Sequence, residues 1–207
     1  MSLLIDLHVH SMISPCSILT IDKILQRAKS MGLYGICITD HDSMEARKYI
    51  REGIQEDGLC VIIGQEYSTP QGHFLLFGPL EDLPHYLSAG EMLRRVRDMG
   101  GVAIASHPFR KLQSVDEKLV SSGLVQYAEG INARNSNKEN SLAQNWQEKY
   151  QVTLTGGSDA HALDELGLAA TRFLEPVTSR EELVQALQEK KFEPCYNPYY
   201  KNSRAGR

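Results

Sequence analysis

Six of the seven histidines in this chain lie at or just beyond the ends of apolar, strand-like runs, and acidic residues accompany most of them. Histidine is the commonest protein ligand of transition metals, and carboxylates bridge pairs of these ions. The pattern therefore predicts a multinuclear metal site, whose typical chemistry is hydrolysis. Only His85 falls outside it. The segments that carry it are DLHVH (Asp6, His8, His10), ITDHD (Asp40, His41, Asp42), IIGQE (Glu66), GHFLLFG (His73), ASHPF (His107) and GGSDAH (Asp159, His161).

Two pairs of residues have a spacing suited to chelation. In a strand, residues i and i+2 point to the same face, so His8 and His10 can bind one ion together. Asp159 and His161 repeat this spacing after a predicted Gly156–Gly157 turn, where glycine permits close backbone approach or an unusual φ. Two surface histidines near a loop give the same HxH pattern, so the prediction depends on the combination of motifs.

The acidic residues have predicted roles of their own. Glu66 ends an apolar strand, where an ionised carboxylate is costly unless it is paired or bound to metal, and a bridging position between two cations meets this need. We expect His41 to be a ligand. Asp40 is expected to accept an imidazole N–H from a ligand or to support the rim of the site. Asp42 is expected to cap a helix.

The remaining motifs involve two histidines and two arginines. His73 opens a strand that follows Glu66 closely and is predicted to fold back toward the same ions; a polar residue on a sheet edge is the alternative. His107 precedes Pro108, which favours an extended conformation aimed at the rim. Arg134 is the first choice for a contact to phosphate or to the leaving group, and Arg110 is the second. A surface Arg134 paired with Glu129 is the alternative, and Glu129 itself is a candidate rim support.

The elements that must position these residues alternate along the chain. Glycine and N-cap signals bound helical segments between most of the strand-like runs. The helical segments are IDKILQRAKSMG (capped by Thr20 or Asp22), SMEARKYIREGI, SAGEMLRRVRDMGG (capped by Ser88), KENSLAQNWQEKY and SREELVQALQEKK (a Ser179–Glu182 capping box). The strand-like runs are Leu3–Val9, Tyr34–Thr39, Cys60–Gln65, His73–Gly78, Val102–Ser106, Val125–Ile131, Val152–Thr155 and Leu168–Phe173.

This alternation predicts parallel βαβ units in an α/β fold. The run HFLLFG follows GQEYST across the turn signal Pro70–Gln71–Gly72 with no helix between, so we expect a hairpin there. The count of units fits a small barrel or an open doubly wound sheet. The motifs fall at the C-terminal ends of strands, where βα barrels place their chemistry.

Bulk properties narrow the class of protein. With 207 residues, one large domain over residues 1–193 is predicted, followed by an extended or partly disordered tail over residues 194–207. The net charge of −4 disfavours broad nucleic-acid binding. Four widely spaced cysteines and no signal peptide or membrane span predict a cytoplasmic location in a reducing compartment. Cys37, Cys60 and Trp146 are predicted to be core residues.

Taken together, the motifs HxH, TDH, E followed by GH, SHP and GSDAH resemble the motif set of the PHP (polymerase and histidinol phosphatase) phosphoesterases. The resemblance spans Leu3 to Phe173 and is specific in combination. It implies a distorted (β/α)7 barrel with two or three divalent ions, which are zinc, manganese or iron. By resemblance, the first ion binds His8, His10, Glu66 and Asp159, the second binds Glu66, His73 and His107, and the third binds His41 and His161.

One position departs from the family pattern. Family members often carry an aspartate or histidine seven or eight residues after the first histidine, where this chain has Pro15 and Cys16. A Cys16 thiolate is a candidate ligand of the third ion and favours zinc. The alternative is that Cys16 is a bystander and the third site is weak.

The predicted function is hydrolysis of a phosphate ester of a small metabolite or nucleotide by a metal-bound hydroxide. Asp159 or His161 is expected to assist proton transfer to the leaving group, and Arg134 to contact the phosphate. The alternatives are a nuclease acting on short single strands and a metal-stabilised regulatory module without turnover. No membrane partner is expected, and nucleic acid is the less favoured substrate.

Overall fold

The computed structural model describes residues 3–198, within which strands and helices alternate through most of the chain. This confirms the predicted α/β class. A short 3-10 helix spans Glu45–Lys48. The α-helices are α1 (Ile21–Ser30), α2 (Ala89–Asp98), α3 (Glu117–Ser121), α4 (Asn137–Tyr150) and α5 (Arg180–Glu189). The strands are β1 (Leu3–Val9), β2 (Gly35–Ile38), β3 (Gly53–Ile54), β4 (Cys60–Ile63), β5 (Gln65–Thr69), β6 (Gly72–Phe77), β7 (Val102–Ala105), β8 (Tyr127–Asn132), β9 (Thr153–Gly157), β10 (Ala169–Phe173) and β11 (Phe192–Tyr196).

The described strands form two sheets. The six-stranded sheet has the order β11-β10-β1-β2-β4-β3, and the five-stranded sheet has the order β5-β6-β7-β8-β9. Parallel pairs join β1, β2 and β4 in one sheet and β7, β8 and β9 in the other. Because the carboxyl ends of parallel strands meet at one edge of a sheet, each sheet brings the ends of three strands together there.

The hairpin expected after Glu66 is confirmed, since β5 and β6 pair antiparallel from Gln65 opposite Leu76 to Thr69 opposite Gly72. Gly64 separates β4 from β5 at a point of close packing. A Cβ on Gly64 would lie 2.5 Å from the carbonyl oxygen of Leu76. The chain therefore passes from one sheet to the other at a residue where only glycine fits.

The family resemblance implied a distorted (β/α)7 barrel, but the hydrogen-bonded ladders of the described strands do not close into one. They are interrupted between β4 and β5 and between β9 and β1. Isolated parallel bridges nevertheless link the two sheets: His41, after β2, bridges to Glu66 of β5, and Val9 of β1 bridges to Ala160, after β9. Both bridges involve residues of the predicted site or their neighbours, so the sheets meet where the histidines lie.

Apolar side chains from both sheets form one interior core, which includes Ile5 and Ile62 from one sheet and Leu75 and Ile104 from the other. The predicted core residues Cys37 and Cys60 are fully buried in it. Leu183 and Leu187 of α5 complete this core. Because Arg180 of α5 donates to the carbonyl of Gly78, just after β6, α5 covers the end of the interior opposite the histidines.

The outer faces of the sheets are covered by helices whose caps agree with the sequence. Thr20 and Ser88 accept backbone N–H groups at the starts of α1 and α2, as predicted. Ser179 caps α5, but Glu182 accepts from Thr178 rather than closing the predicted capping box. Trp146 of α4 is buried and packs on Phe109, which confirms its core role. No helix among residues 3–198 is both long and apolar enough to cross a membrane.

The helix predicted for SMEARKYIREGI is wrong. This segment contains only the 3-10 helix and the two-residue strand β3. Gly53 has a φ of +107°, and the Glu52 carboxylate accepts from the backbone N–H of Ile63 in β4. Of the large apolar residues in this segment, Tyr49 and Ile54 are exposed. A continuous helix therefore has no complete buried face here.

Strand β11 continues past residue 193, the position predicted for the end of the domain. Strand β11 pairs with β10 through Tyr196, and Pro194 lies within it. Proline is tolerated because β11 is an edge strand with β10 as its neighbour on one side. Residues 199–207, the rest of the predicted tail, lie outside the described residues.

Candidate metal centre

Strand β1 delivers two histidines to one point. The Nε2 atoms of His8 and His10 are 2.9 Å apart, and both side chains are fully buried. Glu129 Oε1 lies 2.9 Å from His8 Nδ1, and Ser14 Oγ lies 3.3 Å from His10 Nδ1. When both Nδ1 atoms donate to these oxygens, the two Nε2 lone pairs face one another. Two lone pairs this close repel unless a cation or proton lies between them, so the chelating pair predicted from the HxH spacing has suitable geometry.

The Glu66 carboxylate is the centre of the cluster and is 1% exposed. It lies in β5, directly after Gly64–Gln65. Each of its two oxygens lies near a different set of imidazoles. Oε2 lies 3.4, 3.2 and 3.2 Å from nitrogens of His8, His10 and His41. Oε1 lies 2.9 Å from His107 Nε2 and 3.3 Å from His73 Nδ1.

His41 is placed by the backbone and by a serine network. Its neighbours bond to the β5 backbone, because Glu66 N–H donates to Asp40 and Asp42 N–H donates to Glu66. The Asp40 carboxylate does not contact an imidazole, contrary to one of the two roles expected for it. It accepts from the hydroxyls of Ser11 and Ser14, each at 2.6 Å. Since Ser14 Oγ also accepts from His41 N–H, Asp40 supports the rim through Ser14.

Asp42 and His107 differ from expectation in their backbone. Asp42 has a φ of +50°. Its side chain accepts from the backbone N–H of Ser68 in β5 at 2.8 Å, so it bonds to a strand rather than capping a helix. His107 has a φ of +31° rather than the extended conformation expected before Pro108. Its N–H donates to Glu129 Oε2 at 2.8 Å, which holds this backbone conformation.

Asp159 and His161 follow β9 as predicted, but Gly156 and Gly157 are in the strand rather than in a turn. A Cβ on Gly157 would lie 2.7 Å from the Cβ of His8, so the close approach expected of these glycines is observed. Asp159 has a φ of +57°, and its N–H donates to the His8 carbonyl at 2.7 Å. Its Oδ1 lies 3.5 Å from the Nε2 atoms of both His8 and His10.

Two buried carboxylates had no firm role in the sequence interpretation. Glu129 is fully buried and contacts His8 and His107, so it is a rim support and does not pair with Arg134. Asp6 is also fully buried and accepts N–H groups from Ser158 and Gly167, which ties β1 to the segment after β9. Burial raises the pKa of Asp6 to about 6, although these hydrogen bonds lower it. Both acids lie in apolar strand-like runs, and that was the available signal.

The charges inside the cluster stabilise one another. Burial by itself raises the pKa of Glu66, but positive charge on His8 and His107 holds that pKa well below its usual range. Burial likewise raises the pKa of Asp159, and His8, His10 and Arg110 hold it well below its usual range. Both carboxylates are therefore anions, the form that binds a cation.

The donor atoms group as a metal site requires. Within the described residues, buried atoms without a hydrogen-bond partner include Glu66 Oε2 and the Nδ1 atoms of His41, His73 and His107. Leaving such atoms unpaired costs about 1–3 kcal/mol each, and a cation among them removes that cost. The sets with donor atoms within 4.8 Å of one another are His8–His10–Glu66, His8–His107–Asp159, His41–Glu66–His73 and His10–His41–His161. The residues present therefore fit divalent cations.

A cleft of about 500 Å³ opens over this cluster. Cys16, Arg110 and Arg134 line it together with the cluster residues His41, Glu66, His107, Asp159 and His161. Cys16 is exposed, and its sulfur belongs to none of the four sets found among residues 3–198. Arg134 Nη1 lies 2.8 Å from His161 Nδ1, and its Nε lies 3.4 Å from Glu165. His85, which the sequence set apart, is exposed and lies outside the cluster.

An α/β fold with histidines and carboxylates buried at its strand ends defines a class of metal-binding protein. A family model described as PHP-associated matches residues 137–192. The uncharacterized protein MJ0417 of Methanocaldococcus jannaschii is 30% identical over 181 residues, which cover 83% of this chain and 70% of that protein. The chain belongs to the PHP domain family.

Solved structures share the fold. PsfC from Pseudomonas syringae superposes with a TM-score of 0.76 at 20% identity, covering 96% of this chain and 93% of PsfC. A two-domain protein from Bacteroides vulgatus that contains a predicted PHP-like metal-dependent phosphoesterase gives a TM-score of 0.70 at 17% identity, covering 95% of this chain and 65% of that protein. The lesion-specific endonuclease PfuEndoQ from Pyrococcus furiosus gives 0.67 at 19% identity, covering 91% and 56%.

Proposed function

We propose that this protein is a metal-dependent phosphoesterase that hydrolyses a phosphate ester of a small metabolite or nucleotide. The observation that carries the proposal is the position of the Glu66 carboxylate. One of its oxygens lies close to nitrogens of three histidines, and the other lies close to nitrogens of two. A carboxylate in this position could bridge two cations. The similarity in fold to the Bacteroides vulgatus protein, which contains a predicted PHP-like metal-dependent phosphoesterase, supports the same assignment.

We assign the first ion to His8, His10, Glu66 and Asp159, and the second to Glu66, His73 and His107. Two such cations, when bound, would supply charge neutralisation of the phosphate and activation of water near neutral pH. A third ion is assigned to His41 and His161, with His10 close by and Cys16 as the further candidate. We also propose that the two sheets together correspond to a distorted (β/α)7 barrel.

Arg134 is the proposed phosphate contact. His161 Nδ1 lies 2.8 Å from both Arg134 Nη1 and the carbonyl oxygen of Asp159, and it cannot donate to the carbonyl and accept from the arginine at once. When His161 donates to the carbonyl, Arg134 Nη1 loses this partner and can meet an anion in the cleft, while Nε stays 3.4 Å from Glu165. A guanidinium matches phosphate bidentately, and Arg134 lines the cleft at its exposed side.

When the third site is empty, proton transfer to the leaving group falls to His161 rather than to Asp159, because an imidazole that binds a cation through Nε2 while Nδ1 donates to the Asp159 carbonyl has no proton to transfer. Asp159 Oδ2 is bonded to Arg110 at 2.6 Å, and Oδ1 faces the histidines of β1. His161 is half-buried at the cleft, within reach of a bound ester. Asp159 contributes by holding the His161 ring through its carbonyl oxygen.

The test is a substrate panel on protein loaded with manganese or zinc. Release of phosphate from at least one phosphomonoester, lost in Glu66→Gln, supports the proposal. No release across the panel by metal-loaded protein contradicts it. Short single-stranded oligonucleotides belong in the same panel. Diester cleavage without monoester hydrolysis would favour the nuclease alternative, and the endonuclease PfuEndoQ has a similar fold to this chain.

A further inference from the structure

Arg110 lies on the loop after β7, beside the cleft, with its guanidinium held on several sides. Nη1 donates to Asp159 Oδ2 at 2.6 Å. Nη2 donates to Asn132 Oδ1 at 3.0 Å, and both Nη2 and Nε donate to Asn135 Oδ1, at 2.8 and 3.2 Å. The side chain is one-fifth exposed. Four of its five N–H groups are therefore directed at protein acceptors.

The two oxygens of Asp159 have different surroundings. Oδ2 accepts from Arg110 and, at 3.3 Å, from the amide of Asn132. Oδ1 faces His8 and His10, and Asp159 joins His8 and His107 in one set of candidate ligands. The backbone of Asp159 is in the left-handed region, which non-glycine residues adopt only where surrounding contacts hold it.

Asn132 links this arrangement to Glu129. Its amide nitrogen donates to Glu129 Oε2 at 2.8 Å as well as to Asp159, while its carbonyl oxygen accepts from Arg110. This orientation satisfies the amide at both ends. Glu129, which orients His8, and Asp159, which faces His8 and His10, thus belong to one polar network.

We propose that Arg110 is a positioning residue that turns Asp159 so that only Oδ1 is available to a cation. This inference rests on the proposed metal-dependent function. The alternative role for an arginine lining the cleft is a direct contact to the substrate phosphate. The two roles differ in what they predict for the free protein, since a positioning residue changes metal binding without any substrate.

The test measures manganese affinity of the metal-free protein by calorimetry, in the absence of substrate, and then kcat and KM with an active ester. Arg110→Gln is expected to weaken manganese binding about 10–100-fold, the range for residues that orient ligands. Arg110→Lys retains one charged donor and should recover part of this loss. Asn135→Ala, which removes only an anchor of Arg110, should shift the affinity in the same direction by less.

Wild-type manganese affinity in Arg110→Gln, with a raised KM, would overturn the proposal and assign Arg110 to the phosphate. If Arg110→Gln does not fold, as judged by circular dichroism, unchanged affinity in both Arg110→Lys and Asn135→Ala overturns it equally. Arg95→Gln, on the exposed face of α2, is the matched control and should bind manganese normally. Failure of the proposed function is a separate result, in which wild type binds manganese but hydrolyses no ester.

Discussion

Glu129 Oε1 lies 2.9 Å from Nδ1 of His8, although 121 residues separate the two in the chain. The contact gives the proton on Nδ1 of His8 an acceptor. It leaves Nε2 facing His10 and Glu66. Carboxylates that orient a histidine in this way raise its basicity as a ligand.

Glu129→Gln is therefore expected to weaken binding of manganese or zinc about 10–100-fold, because the neutral amide orients His8 less firmly. Titration of the metal-free protein by calorimetry measures the change. Glu148→Gln, exposed on α4, is the matched control and should bind metal like wild type. Equal affinities for the two variants would contradict the role given to Glu129.

Gly157→Ala tests the close approach of β9 to β1. Its Cβ would lie 2.7 Å from His8 Cβ and 3.1 Å from His8 N, so the strands must separate. We expect the free energy of unfolding of the metal-free protein to fall by about 1–3 kcal/mol, measured by urea denaturation. In Gly90→Ala on α2, the nearest atom to the new Cβ is 3.7 Å away, and this change should be neutral or stabilising by up to about 1 kcal/mol. A neutral Gly157→Ala would show that the strands are not in fixed contact.

Removal of metal is expected to lower the Tm. Ligand bound only to the folded state stabilises it by about 2.7 kcal/mol at a concentration 100 times Kd. Calorimetric scans with manganese and after chelator should differ for wild type. The difference should shrink or vanish in Glu66→Gln, since both candidate sets that contain Glu66 lose their anion. An unchanged Tm of wild type after addition of chelator would contradict the binding of cations by this cluster.

Cys16→Ser separates the two roles left open for the cysteine. Its sulfur belongs to none of the candidate sets among the described residues, whereas His161 belongs to one with His10 and His41. We expect Cys16→Ser to retain the wild-type number of bound ions, and His161→Ala to lose one. Elemental analysis of purified protein gives both counts. Loss of an ion in Cys16→Ser would assign the thiolate to the third site.

The candidate ligands were predictable because their signals are local. The HxH pair needs only the two-residue period of a strand, and the histidines that follow successive strands need only the rule that parallel strands end at one edge. The hairpin that returns His73 to Glu66 was likewise marked by its turn residues. These expectations depend on neighbours in sequence, which a single chain displays.

The parts that the sequence did not predict depend on distant contacts. Nothing near Glu129 or Arg110 indicates that they meet His8 and Asp159. The helix expected around Tyr49 does not form, and the Glu52 carboxylate accepts a hydrogen bond from the β4 backbone instead. Strand β11 was not predicted because it contains Pro194. Proline argues against a central strand but is allowed in an edge strand.

The most direct test of the central claim is a crystal structure of manganese-loaded protein with anomalous data on both sides of the manganese edge. The Glu66 arrangement predicts two anomalous peaks about 3.5–4 Å apart, one bound to each carboxylate oxygen. The peak on Oε2 should also contact His8 and His10, and the peak on Oε1 should contact His73 and His107. Absence of any peak at ligand distance from Glu66, or a single ion bound elsewhere in the cleft, would contradict the bridging role and with it the proposed chemistry.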